Sequence, residues 1–418
     1  MQDVSLAAIL AGTVLALYLR PFGASDWQVA ACGAVLAWAI GPLGVGEGAR
    51  VLADSANIIA FFCGLMLLAA GAEAAGLYAR AAQLLRRAPT VPGRTALVLA
   101  AAFAITAVLS NDATPLVLTP AIIAAASWDA PLARRPAYAA TFMADGASLL
   151  LPVSNPVNLL FYEQFHLSFG HYLATVSVAA AAGAAAMAAV TLLQWRGSPG
   201  RSAVRTPPEH AQTPAAPRSG RLALAVIVAL AVAYLVAGLI GFPLGAVTRG
   251  GGVALLAAAR FDGPVDFARD RKHLAPGVLV FVASLLLLVE SVQRAGLLGG
   301  VGDALHWLEQ GPIILAILGA ALIAAVLANL LNNWPSALLL AAAIAARPGD
   351  HDALVMGTLI GSTIGANFTV VGSLSTVFWL SLNRKGGHGV SAREYAYAAA
   401  LPTTAGLLAA CLVATLVM

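Results

Sequence analysis

Leu109-Ser110-Asn111-Asp112-Ala113-Thr114-Pro115-Leu116-Val117-Leu118-Thr119-Pro120 interrupts an apolar stretch with a carboxyl, an amide and hydroxyls. Apolar arms flank it, Thr95 to Val108 before and Leu116 to Ala126 after. Each arm is shorter than the roughly 20 residues that cross a bilayer. Polar groups in hydrocarbon cost several kcal/mol unless they face protein or water. Pro115 and Pro120 are expected to break the helical hydrogen-bond ladder. Non-helical backbone at membrane depth is tolerated only where it lines a cavity or is buried in protein. The stretch therefore reads as the tip of a re-entrant helical hairpin over 95–127. The plainer alternative is two short helices joined by a polar turn at the surface.

The rest of the chain agrees with a membrane setting. Of its 418 residues, 60% are hydrophobic and 10% charged, where soluble domains carry about 25% charge. This composition excludes a soluble enzyme and points to an all-α polytopic membrane protein. Abundant Gly and Ala suit close helix packing. The N-terminus lacks a basic region followed by a small-residue cleavage site, so no signal peptide is expected. Cys32, Cys63 and Cys411 stand singly in apolar runs, which suggests neither disulfides nor a metal centre. The scattered basic residues give no nucleic-acid patch, and no phosphate-binding glycine loop is present, so no ATP chemistry and no cofactor are expected.

Plain spans read at 4–19, 27–43 and 56–79, followed by an arginine-rich connector with Arg80, Arg86, Arg87 and Arg94. After the hairpin comes a broken span, 137–162, interrupted at Leu151-Pro152-Val153-Ser154-Asn155-Pro156-Val157-Asn158, and then a span at 172–194. Residues 195–219, rich in Pro, Ser and Arg, read as a linker. The order then repeats: spans at 222–241, 243–259 and 275–293, and an apolar stretch, 312–346, interrupted at Asn332-Asn333-Trp334-Pro335-Ser336. A broken span at 353–383 carries Gly361 to Ser373, and the last span is 395–417. The first repeat is thus 1–194 and the second 220–418. Aligning Asn111-Asp112 with Asn332-Asn333, and Ser154-Asn155 with Gly372-Ser373, brings the halves into register. Paired interruptions of this kind point to a transporter's binding site.

If neither hairpin crosses, each half crosses five times and the second repeat is inverted relative to the first. Both termini then lie outside and the linker in the cytoplasm. This topology places every Lys and Arg in the cytoplasm except Arg50, Arg249, Arg294 and Arg347, among 23 in all, as the positive-inside rule favours.

Asp112 and Asp145 are the ionisable residues within the four interrupted elements. Desolvation favours the neutral form of a carboxyl, so a buried one can take up and release a proton; it can equally ligate sodium, or cap a helix. The neutral candidates for substrate binding are Asn111, Thr114, Ser154, Asn155 and Asn158 in the first half. Those in the second are Asn332, Asn333, Ser336, Asn367, Thr369, Ser373 and Thr376. Single Ser and Thr residues often bond back to their own helix instead. No deep Lys or Arg joins these motifs, which weighs against a strongly anionic substrate. Arg249 is expected to snorkel, and Glu290 and Arg294 to pair at i,i+4. Glu73 reads as interfacial, and His166, His171 and His306 as solvated in outer loops.

These motifs together resemble the bacterial arsenical pump membrane proteins. The likeness rests on Asn111-Asp112 through Thr119-Pro120, Ala144-Asp145-Gly146-Ala147-Ser148 with Val153 to Asn158, Asn332-Asn333-Trp334-Pro335, and Gly372-Ser373-Leu374-Ser375-Thr376-Val377-Phe378-Trp379. It implies export of arsenite or antimonite by proton antiport at the bacterial inner membrane, with an optional soluble ATPase partner. It also implies the inverted-repeat fold. Some members carry an acidic residue and a lysine where Thr363 and Asn367 stand here. Arsenite is a neutral trihydroxide at neutral pH, suited to amides and hydroxyls. The competing readings are a sodium-coupled small-anion transporter or sodium/proton antiporter of the same fold, and a passive channel for small neutral solutes.

Overall fold

A computed structural model describes residues 2–19, 24–86, 88, 90–125, 135–194, 219–260 and 276–418. The expected linker, 195–219, falls almost wholly outside these residues, as do Arg20, Arg87, Arg134, Arg269, Arg271 and Lys272. Every regular element among the described residues is helical, and seven of the helices are long and apolar enough to cross a membrane.

The first half runs α1 (Gln2–Leu19), α2 (Asp26–Ile40), α3 (Val45–Asp54), α4 (Ala56–Ala74), α5 (Leu77–Arg86), α6 (Val91–Leu109) and α7 (Ala113–Ala125). It continues with α8 (Arg135–Gly146), a 3-10 turn at Pro152–Ser154, α9 (Pro156–Gln164) and α10 (Phe169–Gln194). The second half has α11 (Ser219–Ile240), α12 (Leu244–Ala259), α13 (Pro276–Arg294), α14 (Gly299–Glu309), α15 (Ile313–Leu331) and α16 (Asn333–Ala345). After α17 (Asp352–Thr363) come a 3-10 turn at Gly365–Phe368, α18 (Leu374–Lys385) and α19 (Ala392–Val417).

Local chemistry sets several boundaries differently from the sequence reading. The span expected at 56–79 ends at Ala74, because Gly76 takes φ +70° and starts a separate amphipathic helix, α5. The Thr90 hydroxyl accepts the Gly93 amide and Pro92 occupies the first turn, so α6 begins at Val91 rather than Thr95. At 19 residues α6 and α15 are long enough to span, whereas α7 and α16, at 13, are not. Arg94, read as part of a connector, lies inside the first turn of α6 and is 1% exposed. The prolines do not break α7: Pro115 sits in its first turn, where an amide has no intrahelical acceptor, and the helix continues past Pro120.

The two halves interlock through reciprocal pairs. α4 lies along α12 and α2 along α13, while α6 packs on α8 and α15 on α17. α10 and α19, the last helices of each half, pack on one another. Small residues permit these approaches. A Cβ on Gly183 would stand 3.0 Å from the Gly406 carbonyl oxygen, and one on Gly406 would stand 3.1 Å from that of Gly183. The four interrupted elements are held at the centre of this frame.

Candidate substrate and proton site

Each helix pair turns on one residue with positive φ. Ser110 (φ 125°) joins α6 to α7, and Asn332 (φ 78°) joins α15 to α16. Such angles are strained for a side-chain-bearing residue. The turn is then tied to the neighbouring interruption by main chain alone: Asn111 N donates to Ser154 O and Asn333 N to Gly372 O, each at 2.9 Å. These bonds make Asn111 the counterpart of Asn333 and Asp112 that of Trp334, one residue away from the sequence alignment.

Asp145, the second-last residue of α8, is fully buried. Its Oδ1 accepts from Asn111 Nδ2 (3.0 Å), Ser373 Oγ (2.8 Å) and Ser375 Oγ (3.1 Å), and Oδ2 accepts from Thr376 Oγ1 (3.4 Å). Donors therefore reach it from the turn of α6–α7 and from the start of α18. Hydrogen bonds to an ionised acceptor are about twice as strong as neutral ones, so this carboxylate pins the two halves together.

Asp112 is placed differently. It is half-buried, and no hydrogen bond reaches its carboxyl among the described residues. It lines a cavity of about 180 Å³ with Ser110, Phe62, Met66, Leu374 and Phe378. The carboxyl is the one ionisable group in an otherwise mainly apolar wall.

Three amides at the first turn and the first helix break keep unused hydrogen-bonding capacity. Asn111 Oδ1, Asn155 Nδ2 and Asn158 Oδ1 are buried without a partner among the described residues. Their other polar atoms hold them in place. Asn155 Oδ1 caps α9 by accepting the Val157 amide (3.0 Å), and Asn158 Nδ2 donates to the carbonyls of Ser148 (2.6 Å) and Leu151 (3.0 Å). Unpaired buried polar atoms are costly, which sets these three apart from the committed side chains.

Other candidates are already committed. The Thr114 hydroxyl bonds Thr106 Oγ1 (2.6 Å) and Ser110 O (3.1 Å), and Ser154 Oγ donates to Ala107 O (3.0 Å). Asn332 donates to Val371 O (3.0 Å) and caps α16, and Ser336 Oγ turns back to Asn333 O (3.0 Å). Asn367 spends both ends, donating to Phe142 O (3.2 Å) and accepting from Tyr395 Oη (2.9 Å). Ser373 and Thr376 serve Asp145, while the buried Thr369 hydroxyl has no partner among the described residues.

Sequence reasoning missed Ser375, Thr141 and Tyr395. Thr141 Oγ1 lies 3.1 Å from Thr376 Oγ1, and Tyr395 Oη lies 3.5 Å from the same atom. The spacing Tyr138, Thr141, Asp145 puts three polar groups on one face of α8, a helical signal that was available. It also missed Asn57, which joins Glu163 at the end of α9 to the Gly245 amide at the start of α12. Glu290 and Arg294 pair at 2.7 Å as expected, and Arg294 also binds Glu47 at 2.5 Å. Among the described residues no three His, Cys, Asp or Glu side chains gather to hold a metal ion.

An all-helical bundle with paired helix breaks meeting around a buried carboxylate and a small cavity is the architecture of a multi-pass membrane transporter. The fold extends to the YdaH transporter of Alcanivorax borkumensis, whose crystal structure superposes with a TM-score of 0.52 over 93% of this chain and 96% of that one, at 14% identity. A family model described as "Arsenical pump membrane protein" matches residues 6–417, and the chain belongs to that family. The arsenical pump membrane protein of Yersinia enterocolitica is 30% identical over 391 residues, 89% of this chain and 90% of that protein. That of Escherichia coli (strain K12) is 28% identical over 386 residues, 89% of each chain.

Proposed function

We propose that this protein exports arsenite or antimonite from the bacterial cytoplasm in exchange for protons. In this reading 1–194 and 220–418 are inverted-topology repeats, α6–α7 and α15–α16 are re-entrant hairpins, and the 195–219 linker is cytoplasmic at the inner membrane. The observation that carries the reading is that the first turn and the first helix break hold both an unbonded carboxyl, Asp112, and amides with unspent atoms, Asn111, Asn155 and Asn158. Two acceptors and one donor match the hydroxyls of a neutral trihydroxide, which brings no charge that a lysine or arginine must offset. Asp112 and Asp145 carry the exchanged proton, Asp112 at the cavity wall, where substrate and proton compete for the same space.

Asp145 links protonation to shape. As a carboxylate it gathers Asn111, Ser373, Ser375 and Thr376; protonation removes the charge that makes those bonds strong. A ligand shifts a conformational equilibrium only through its differential affinity for the two states. A proton at Asp145 has that property, because the bonds it weakens include those from Ser373, Ser375 and Thr376 of the other half. A passive channel has no use for either carboxyl.

The decisive measurement is arsenite uptake into everted vesicles under a proton gradient, a sodium gradient or neither. Uptake driven by protons is expected; uptake driven by sodium alone would transfer the chain to the sodium-coupled reading, and gradient-independent uptake to the channel. For topology, Ser202→Cys in a cysteine-free background should resist an impermeant thiol reagent in intact cells. Ready labelling would invert the model.

A further inference from the structure

We propose that a line of hydroxyls between Asp145 and Glu394 carries the exchanged proton between the buried carboxyl and the cytoplasm. The inference rests on the proton-coupled reading above and adds a route to it. Asp145 Oδ2 is bonded to Thr376 Oγ1, which lies 3.1 Å from Thr141 Oγ1 and 3.5 Å from Tyr395 Oη. At the far end Tyr138 Oη donates to Glu394 Oε1 at 3.0 Å, and Glu394 is exposed in the first turn of α19. Arg384, Lys385 and Arg393 flank that end of the bundle, which the positive-inside rule assigns to the cytoplasm. Tyr138, Thr141 and Asp145 share a face of α8, so one helix carries the buried end of the line and the phenol that meets Glu394.

The line is insulated. Thr141, Thr376 and Tyr395 are fully buried, and Phe142 and Trp379 wrap the two phenols. The Trp379 ring centroid is 5.3 Å from that of Tyr138 and 5.7 Å from that of Tyr395, and the Phe142 centroid is 5.9 Å and 5.8 Å from the same two rings. The phenol ring centroids are 6.3 Å apart, and the proposed route places one bridging water between the two hydroxyls. An aromatic sleeve around hydroxyls keeps bulk water and ions away while leaving O–H groups free to rotate.

The transfer balances at every atom. The Asp145 carboxyl gives its proton to Thr376 Oγ1, and the original Thr376 hydroxyl proton passes to Tyr395 Oη. Tyr395 turns its hydroxyl away from Asn367 Oδ1, which accepts it at rest, and passes its own proton to the bridging water; the water passes one to Tyr138 Oη, and Tyr138 passes its own to the Glu394 carboxylate. Each hydroxyl forms one O–H bond and breaks one. The net change is a proton moved from Asp145 to Glu394, and rotation of the O–H groups resets the line.

Purified protein in phosphatidylethanolamine–phosphatidylglycerol vesicles provides the test. Two rates are read: radiolabelled arsenite accumulation under an imposed proton gradient, and arsenite exchange at equal concentrations without a gradient. Exchange needs no net proton release. Tyr138→Phe, Tyr395→Phe and Glu394→Gln should each lower the ratio of driven accumulation to exchange by about tenfold, at the low end of proton-transfer effects, and Glu394→Asp should restore it. In the wild type, deuterated water should slow driven accumulation more than exchange. If both rates fall together in every variant, or the ratio is unchanged, the hydroxyls only hold helices together and the route is wrong. Glu394→Gln, at an exposed position, decides the matter if Tyr395→Phe fails to fold. Driven accumulation at the wild-type rate in Asp112→Asn with Asp145→Asn would instead sink the coupling reading itself. Loss in Asp145→Asn with an unchanged ratio in the other variants would sink the route alone.

Discussion

The turn at Ser110 and the turn at Asn332 are built alike and equipped differently. Both rest on a positive φ, and both donate the next amide to the neighbouring helix break. The first then presents Asp112 to a cavity. The second presents Trp334, 2% exposed, with its ring edge-on to Phe62 at 5.2 Å. The helix breaks diverge in the same sense: α8 ends with Asp145 in the second-last position, and α17 has Ser362 there, its buried hydroxyl without a partner among the described residues. Shared backbone geometry therefore presents a carboxyl at one turn and a packed aromatic at the other. A symmetric frame with ionisable groups on one side suits the handling of a proton by one half.

The largest effect should come from removing that asymmetry. Asp112→Asn with Asp145→Asn should depress proton-driven arsenite accumulation in everted vesicles by about 100-fold, with Asp112→Asn alone the more damaging single change. Wild-type accumulation in the double variant would leave the comparison without functional meaning. Next comes stability. Trp334→Ala removes a buried aromatic and should cost about 3–5 kcal/mol. Asp112→Ala, at an unbonded side chain, should cost less than about 1 kcal/mol. Denaturation in detergent measures both, and equal losses would contradict the division of labour.

A smaller effect separates the asparagines. Asn155→Ala and Asn158→Ala should raise the arsenite concentration for half-maximal exchange about tenfold, as for a lost hydrogen bond to a bound solute. Asn332→Ala should act through stability with little change in that concentration. The smallest effect lies away from both turns. The Gly44 amide and Arg294 hold the Glu47 carboxyl below the usual carboxylate range. A depressed carboxyl contributes stability above its unfolded value and loses it as pH falls through the folded one. The melting-temperature advantage of wild type over Glu47→Gln should therefore be present at neutral pH and fade below about pH 4.

Much of this arrangement was legible in the residues. Polar interruptions in apolar runs located all four central breaks, because nothing else tolerates Asn, Asp and Pro together at that depth. What periodicity leaves open is which polar atoms are spent. Thr114 and Asn155 look equivalent in a sequence, yet one closes a hydrogen bond with Thr106 and the other keeps an amide free. Partners brought from distant segments, such as Ser375 and Tyr395, depend on how the halves interlock. The one-residue offset between the turns was hidden for a related reason: asparagine pairs draw the eye, while the register follows main-chain amides and a positive φ.

Those two main-chain bonds bear on how the protein can change over evolutionary time. An amide donating to a carbonyl asks nothing of the side chain at either end. The contacts that fix each turn to its helix break are therefore invisible to most substitutions at Asn111, Ser154 and Asn333, whereas Gly372 has no room for a side chain, since a Cβ there would collide with the Ala366 carbonyl oxygen. Selection is left to act on positions 110 and 332, which must accept a positive φ, and on the residue after each amide. An aspartate and a tryptophan can occupy equivalent places there on the same main-chain frame, with the local packing, not the backbone, adjusting to each.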